Sequence, residues 1–236
     1  MAPSKEIPIR TSFSFGFKPQ NFARVISVLA TILLVSSGSG AVDFKTAQPQ
    51  DFSRLRREME KGLFWRKPAL QKAMREDHKI HVSVLHKEDN EPWSFKGGGL
   101  VRASRAFCFE NTKDFNRLRQ MSDYFPEVRY EPDKSILHVK VKFMKKERLL
   151  DLALFQETIG DEDRVFFRST GSWLPGLEGV VMLKDQERQT TEIGILVLTH
   201  ADFPWVPDWL LSVSAEAVMH HVAESLRNSL ETDYKN

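Results

Sequence analysis

Few residues in this chain have settings that invite chemistry. Asp151 stands among Leu150, Leu152 and Leu154, and Arg168 lies between Phe167 and Ser169. A charge in such company is costly to bury unless it is paired. These two are therefore expected to be partly buried, as a structural ion pair or around a ligand head group. Asp151 and Glu178 are also the acids that a cyclase-type enzyme would use, a role that needs a carboxylate of raised pKa facing a cavity. His220 and His221 are adjacent, so on a helix they point about 100° apart and cannot share a metal as an i, i+4 pair does. His78 and His81 straddle a change from helical to strand pattern and read as surface residues. Gly97-Gly98-Gly99 lacks the Gly-Lys-Ser/Thr continuation of a phosphate loop, which leaves a bulge or a bend in a sheet. No Gly-x-Ser-x-Gly elbow is present. Lys145, Lys146 and Arg148 form a small basic turn, suited to brief contact with anionic lipid headgroups but too little for nucleic acid. No catalytic set, metal site or cofactor emerges.

The whole composition agrees with a hydrophobic rather than a polar occupation. The 236 residues carry Lys+Arg 34 against Asp+Glu 32, with 41% hydrophobic residues, a globular balance that excludes a disordered chain and a polytopic membrane protein. Cys108 is the one cysteine, which rules out an internal disulfide framework and a cysteine-based zinc site. Phe outnumbers Tyr by 17 to 3, favouring a dry apolar interior.

The slight basicity is concentrated at the start. Residues 1–41 hold Lys5, Arg10, Lys18 and Arg24 against Glu6, a local +3. The apolar run Val25–Val35 follows, then Ser36-Ser-Gly-Ser-Gly-Ala41, with Ser39 and Ala41 where a signal peptidase reads. Basic flank, short apolar core and small residues make a secretory signal. The alternative is an uncleaved anchor over residues 25–41, although its last third is Ser/Gly-rich and a comfortable span needs about 20 apolar residues. Either way the body is expected outside the cytoplasm, periplasmic or extracellular. With no cysteine near residue 41, lipoprotein processing is not available.

Three parts are expected: residues 1–41 as signal or anchor, 42–78 as a linker and charged helical extension, and 79–232 as a domain. In the extension, Asp51 caps a helix over Phe52–Lys61 that Gly62 ends, and Pro68 opens a second one to about Asp77. Their mixed charges read as a solvated face. From Lys79 the period becomes two: strands over 79–86 and 93–101, small helices over 104–110 (capped by Ser104) and 112–121, then strands over 135–143, 148–155, 164–169, 179–183 and 190–200. Short connections make the strands antiparallel. The strand at 148–155 is apolar on both faces apart from Asp151, so something covers each side of it. A long helix from about Pro207 to Glu231 closes the chain, with Leu211, Ala215, Val218, Val222, Leu226 and Leu230 in one stripe. The small residues Ser214, Ala215, Ala217 and Ser225 beside it are expected to leave space against the sheet. This is an α+β architecture with one sheet face buried on the last helix.

The order resembles the START-like (SRPBCC, helix-grip) superfamily, and local patterns agree. Leu100-Val-Arg-Ala-Ser-Arg-Ala-Phe-Cys-Phe-Glu110, then Phe115-Asn-Arg-Leu-Arg and Tyr124-Phe-Pro126-Glu-Val128, are similar to the superfamily's strand, small-helix and Pro-x-Val entry. Gly171-Ser-Trp-Leu-Pro-Gly-Leu-Glu-Gly-Val-Val-Met-Leu183 is similar to its glycine-bearing strand-turn-strand, and Val206-Pro-Asp-Trp-Leu-Leu211 to the opening of its final helix. The likeness covers about Lys79 to Leu230 and is nearest to bacterial START or coenzyme Q-binding-like proteins. It implies a curved antiparallel sheet wrapped around the last helix, two small helices between the first strands and the rest, and a cavity between sheet and helix for a lipid, sterol, quinone, fatty-acyl or other hydrophobic molecule. It supplies no catalytic residues.

With that fold, alternation and helix stripe assign the cavity lining to Phe143, Leu152, Phe167, Met182 and Leu196 on strands and to Leu211, Ala215, Val218, Met219 and Val222 on the helix. Ordinary core packing would employ the same residues. The leading reading is an exported, non-enzymatic binding module for a hydrophobic ligand. The others are a cyclase- or hydrolase-type enzyme of the same superfamily and a ligand-free interaction protein.

Overall fold

The computed structural model describes residues 52–85, 91–112, 125–143, 146–171, 174, 176–200 and 208–235. The leader, the turn at 86–90 and the helix expected over 112–121 lie wholly or mostly outside them, as do the side chains of Phe143, Leu211 and Val218. Helix α1 spans Ser53–Glu60, a 3₁₀ turn Phe64–Arg66, and α2 Pro68–Glu76. Gly62 ends α1 with a positive φ of 94°, a conformation that costs glycine little, and Pro68 fits the first turn of α2, where no amide donor is needed. Strands β1 (His81–Leu85) and β2 (Trp93–Val101) precede α3, Arg105–Asn111. The Ser104 hydroxyl accepts from the Phe107 amide at 3.3 Å and caps α3. Then come β3 (Glu127–Glu131), β4 (Ile136–Phe143), β5 (Lys146–Ile159), β6 (Glu162–Ser169), β7 (Glu178–Gln186) and β8 (Thr190–Thr199), and α4 runs over Asp208–Lys235.

The strands form one antiparallel sheet in the order β1-β2-β8-β7-β6-β5-β4-β3, and α4 lies across one face. Ala215, Met219, Val222, Leu226 and Leu230 are buried there with Phe95, Leu137, Val139, Leu150, Leu152, Phe167, Val181, Ile193 and Ile195. α4 also clips the edge strand β1. Ser212 Oγ donates to the Val84 carbonyl at 2.9 Å, and the Val84 amide donates to Glu216 Oε1 at 3.0 Å. These side chains satisfy backbone groups that an edge strand otherwise leaves open.

The opposite face is covered as well, by α1, the 3₁₀ turn and α2. Phe52, Leu55, Trp65 and Met74 are fully buried against Phe166, Val180, Met182, Leu196 and Leu198. The segment expected as a solvated extension is therefore, from Phe52 onward, the outer layer of the sheet. Residues 52–79 hold nine Lys/Arg against four Asp/Glu, and the sheet answers with carboxylates. Arg56 is bidentate on Glu157 at 2.9 and 2.6 Å. Glu192 accepts from Arg66 Nε at 2.7 Å, Gln71 Nε2 at 2.8 Å and Trp65 Nε1 at 3.3 Å, while Arg66 also reaches Glu162. Buried charges so paired and hydrogen-bonded offset their desolvation.

The glycine run is not a bulge. Gly97, Gly98 and Gly99 pair in unbroken register with Ile195, Gly194 and Ile193. On the outer face Gly98 and Gly194 stand opposite each other beneath Trp65, and a Cβ on either would lie 2.5 Å from its indole. Glycine is required there so that the ring can touch backbone. Strand β3, absent from the expected set, has only Val128 and Tyr130 between Glu127, Arg129 and Glu131, the charged pattern of an edge strand.

Candidate functional site

Between α4 and the β1-β2-β8 end of the sheet lies an apolar void of about 50 Å³. Its cause is local. Period two turns Gly97 and Gly99 inward while Gly98 turns outward, and Ala223 of α4 sits over the missing side chains. Ile80, Val82, Ile193, Ile195, Met219 and Leu226 are part of the apolar wall, and among the described residues Arg227 is the only charged one that lines it. The space is that of a few water molecules, and its apolar walls offer them almost no hydrogen-bonding partners.

The ten expected lining residues separate into three groups. Leu152, Phe167, Ala215, Met219 and Val222 are buried between sheet and α4, and of these Met219 lines the void. The far end of the Phe167 ring lies over Gly179, where a Cβ would come within 2.0 Å of it, so it fills the interlayer space. Met182 and Leu196 face the other way, under the outer helices. The Phe167↔Gly179 register puts Gly179, Val181 and Leu183 on the α4 side, hence Met182 outside, and the Met182↔Gly194 pairing puts Leu196 outside as well. Alternation could not choose between the faces because both are apolar. Phe143, Leu211 and Val218 are outside the described side chains. Of the small residues expected to leave space, Ala217 is exposed. Gly97, Gly99 and Ala223 create the gap instead, and the glycine run was the signal for it.

Asp151 and Arg168 also lie on the outer face, each with its own partner. His138 Nδ1 and Asp151 Oδ1 are 2.7 Å apart, and His138 Nε2 lies 3.3 Å from Glu131 Oε2. Arg168 donates from Nη2 to Glu178 Oε2 at 3.0 Å and its guanidinium covers the Phe52 ring at 5.2 Å. Asp151 and Arg168 are thus not each other's partners. Their side chains are 30% and 38% exposed, so neither is a deeply buried charge. Neither Asp151 nor Glu178 faces the void, and no Asp or Glu lines it among the described residues. No cluster of metal-ligating side chains occurs among them either; His220 instead lies 3.7 Å from Glu224. No helix of the described residues is long and apolar enough to cross a membrane.

Two perturbed groups reflect structure rather than chemistry. Burial would raise the Glu162 carboxyl, but hydrogen bonds from Arg164 and Arg66 outweigh it and hold the group below the usual carboxylate range. Burial pushes the Cys108 thiol up to about 11, against a hydrogen bond with Thr191, so the thiol is not a ready nucleophile.

No protein-family model and no curated protein matches the chain. Solved structures do. A STAR-related lipid transfer protein from Xanthomonas axonopodis (fragment 25–204) superposes with a TM-score of 0.52 at 17% identity, over 64% of this chain and 93% of that one. Human STARD10 gives a TM-score of 0.57 at 12% identity, over 81% of this chain and 82% of that one. With a single antiparallel sheet packed on a long carboxy-terminal helix and a small helix after the first hairpin, this chain has the START-like, helix-grip fold.

Proposed function

We propose that the chain is an exported, non-enzymatic binding module that takes a hydrophobic small molecule, of the quinone, sterol or fatty-acyl kind, between the sheet and α4. The observation that carries this reading is the apolar void under Gly97, Gly99 and Ala223, in the interlayer position where a helix-grip fold can open a pocket. The similar structures, a lipid transfer protein among them, support the same ligand class. Burying apolar ligand surface would contribute roughly 25 cal/mol per Å². A lipid-sized guest needs a few hundred Å³ against the void's 50 Å³, so entry involves displacement of α4 from the sheet. Among the described residues, Ser212 and Glu216 bond α4 to Val84 of β1, polar contacts that water can replace when the helix moves.

The small size of the void favours a second reading, a ligand-free interaction protein with a filled core. Native mass spectrometry of the full-length chain after expression in a lipid-rich host separates the two. A bound adduct that leaves on denaturation supports the binding module, and bare protein in every charge state supports the filled core. Export through residues 1–41 belongs to the same proposal. Its test is the amino-terminal sequence of the exported protein: a start at Val42 supports cleavage, and an intact 25–35 segment means an anchor.

A further inference from the structure

The void has one polar end. Arg227, half-buried on α4, is the charged residue of an otherwise apolar lining. Elsewhere the half-buried arginines are matched with acids: Arg56 with Glu157, Arg66 with Glu162 and Glu192, Arg105 with Asp163, Arg164 with Glu157 and Glu162. Arg227 is different. Its Nη1 donates to the carbonyl of His78, and among the described residues no carboxylate stands within ion-pair distance of it. His78 is held with a positive φ of 52° and meets a second guanidinium, that of Arg102, through its ring. Glu231, one turn further along α4, accepts from the Arg102 amide at 2.9 Å instead. A half-buried guanidinium outside any ion pair, with N–H groups left over, is suited to a carboxylate.

We infer that Arg227 is the head-group anchor of the cavity and that the ligand is a carboxylate amphiphile of the fatty-acid type, its chain running along Gly97, Gly99 and Ala223. This rests on the binding-module reading and narrows it: neutral sterols and quinones offer Arg227 no anion. The glycine-walled void also admits a slender chain more readily than a fused ring system.

Calorimetric titration of the full-length chain with decanoate and with decan-1-ol tests it, using wild type, Arg227→Gln and Arg227→Lys. Wild type should prefer decanoate. Arg227→Gln should weaken decanoate by about ten- to a hundredfold, the range for a hydrogen bond to a charged group, while leaving decan-1-ol unchanged. Arg227→Lys keeps a cation and should retain the preference for the acid. Thermal melts of each variant verify folding. If Arg227→Gln binds decanoate as wild type does, or wild type takes both ligands equally, the anchor is overturned while the cavity stands. If Arg227→Gln loses decan-1-ol as well, Arg227 is structural and the inference falls. If wild type binds neither ligand, the inference falls together with the cavity reading.

Discussion

Filling the void separates a ligand space from an ordinary packing defect. Ala223 faces Gly97 and Gly99 across a void of about 50 Å³, and Ala223→Val adds two methyl groups at that point. Unfilled cavity costs about 24 cal/mol per Å³, so closing 50 Å³ recovers ~1.2 kcal/mol. Valine in place of alanine within a helix gives back about 0.6 kcal/mol through lost side-chain freedom. The variant should therefore be more stable by ~0.6 kcal/mol, a rise of roughly 1–2 °C in Tm for a domain of this size. Its response to ligand should go the opposite way. A saturating ligand at a hundred times Kd stabilises wild type by about 2.7 kcal/mol; with its space taken, Ala223→Val should lose most of that increment. Differential scanning calorimetry of both proteins, with and without decan-1-ol, reads the two effects together. A variant destabilised by more than about 1 kcal/mol would mean overpacking, and hence that the gap is not there to be filled. An equal ligand response in both proteins would place the ligand elsewhere.

The outer layer yields its own tests. Trp65→Ala should cost about 3–5 kcal/mol in urea unfolding, the range for removing a buried aromatic, because the indole is fully buried over Gly98 and Gly194; Gly194→Ala should cost about 1–3 kcal/mol by overpacking the same seat from below. Glu192→Ala strips the acceptor from Arg66, Trp65 and Gln71 at once and should cost about 3–5 kcal/mol, whereas Lys72→Ala, on the exposed face of α2, should stay within ~0.5 kcal/mol. Glu162, held below the ordinary value of 4.5, contributes stability that is complete above that value and disappears as pH falls through its lower folded value. Glu162→Gln should accordingly be less stable than wild type at neutral pH, with the two unfolding curves converging as pH drops below 4.5.

Apart from β3, the order of elements was legible because each has a local cause. Gly62 and Pro68 mark helix boundaries, Ser104 caps α3, and the three- and four-residue steps of Ala215, Met219, Val222, Leu226 and Leu230 fix which side of α4 meets the sheet. Facing was not legible where a strand is apolar on both sides. In β7 and β8, Val180, Val181, Met182 and Leu183, and Ile195, Leu196, Val197 and Leu198, give no alternation to read. Only the pairing of Phe167 with Gly179, and the presence of an outer helical layer, assign Met182 and Leu196 to the outside. The charges of α1 looked solvated for a similar reason. Arg56 and Glu157, or Arg66 and Glu192, are separated by 101 and 126 positions, and no local pattern joins them. The glycine triplet shows what remains invisible until both faces are known. Gly98 is small because Trp65 must touch the sheet from outside, and Gly97 and Gly99 are small where the wall of the void lies inside. One run of three residues therefore serves the stability of the outer layer and the space of the inner one. A side chain at Gly98 should act on folding, and one at Gly99, where the nearest contact is Ile80 Cγ1 at 3.1 Å and a small shift of Ile80 makes room, should act on occupancy of the void.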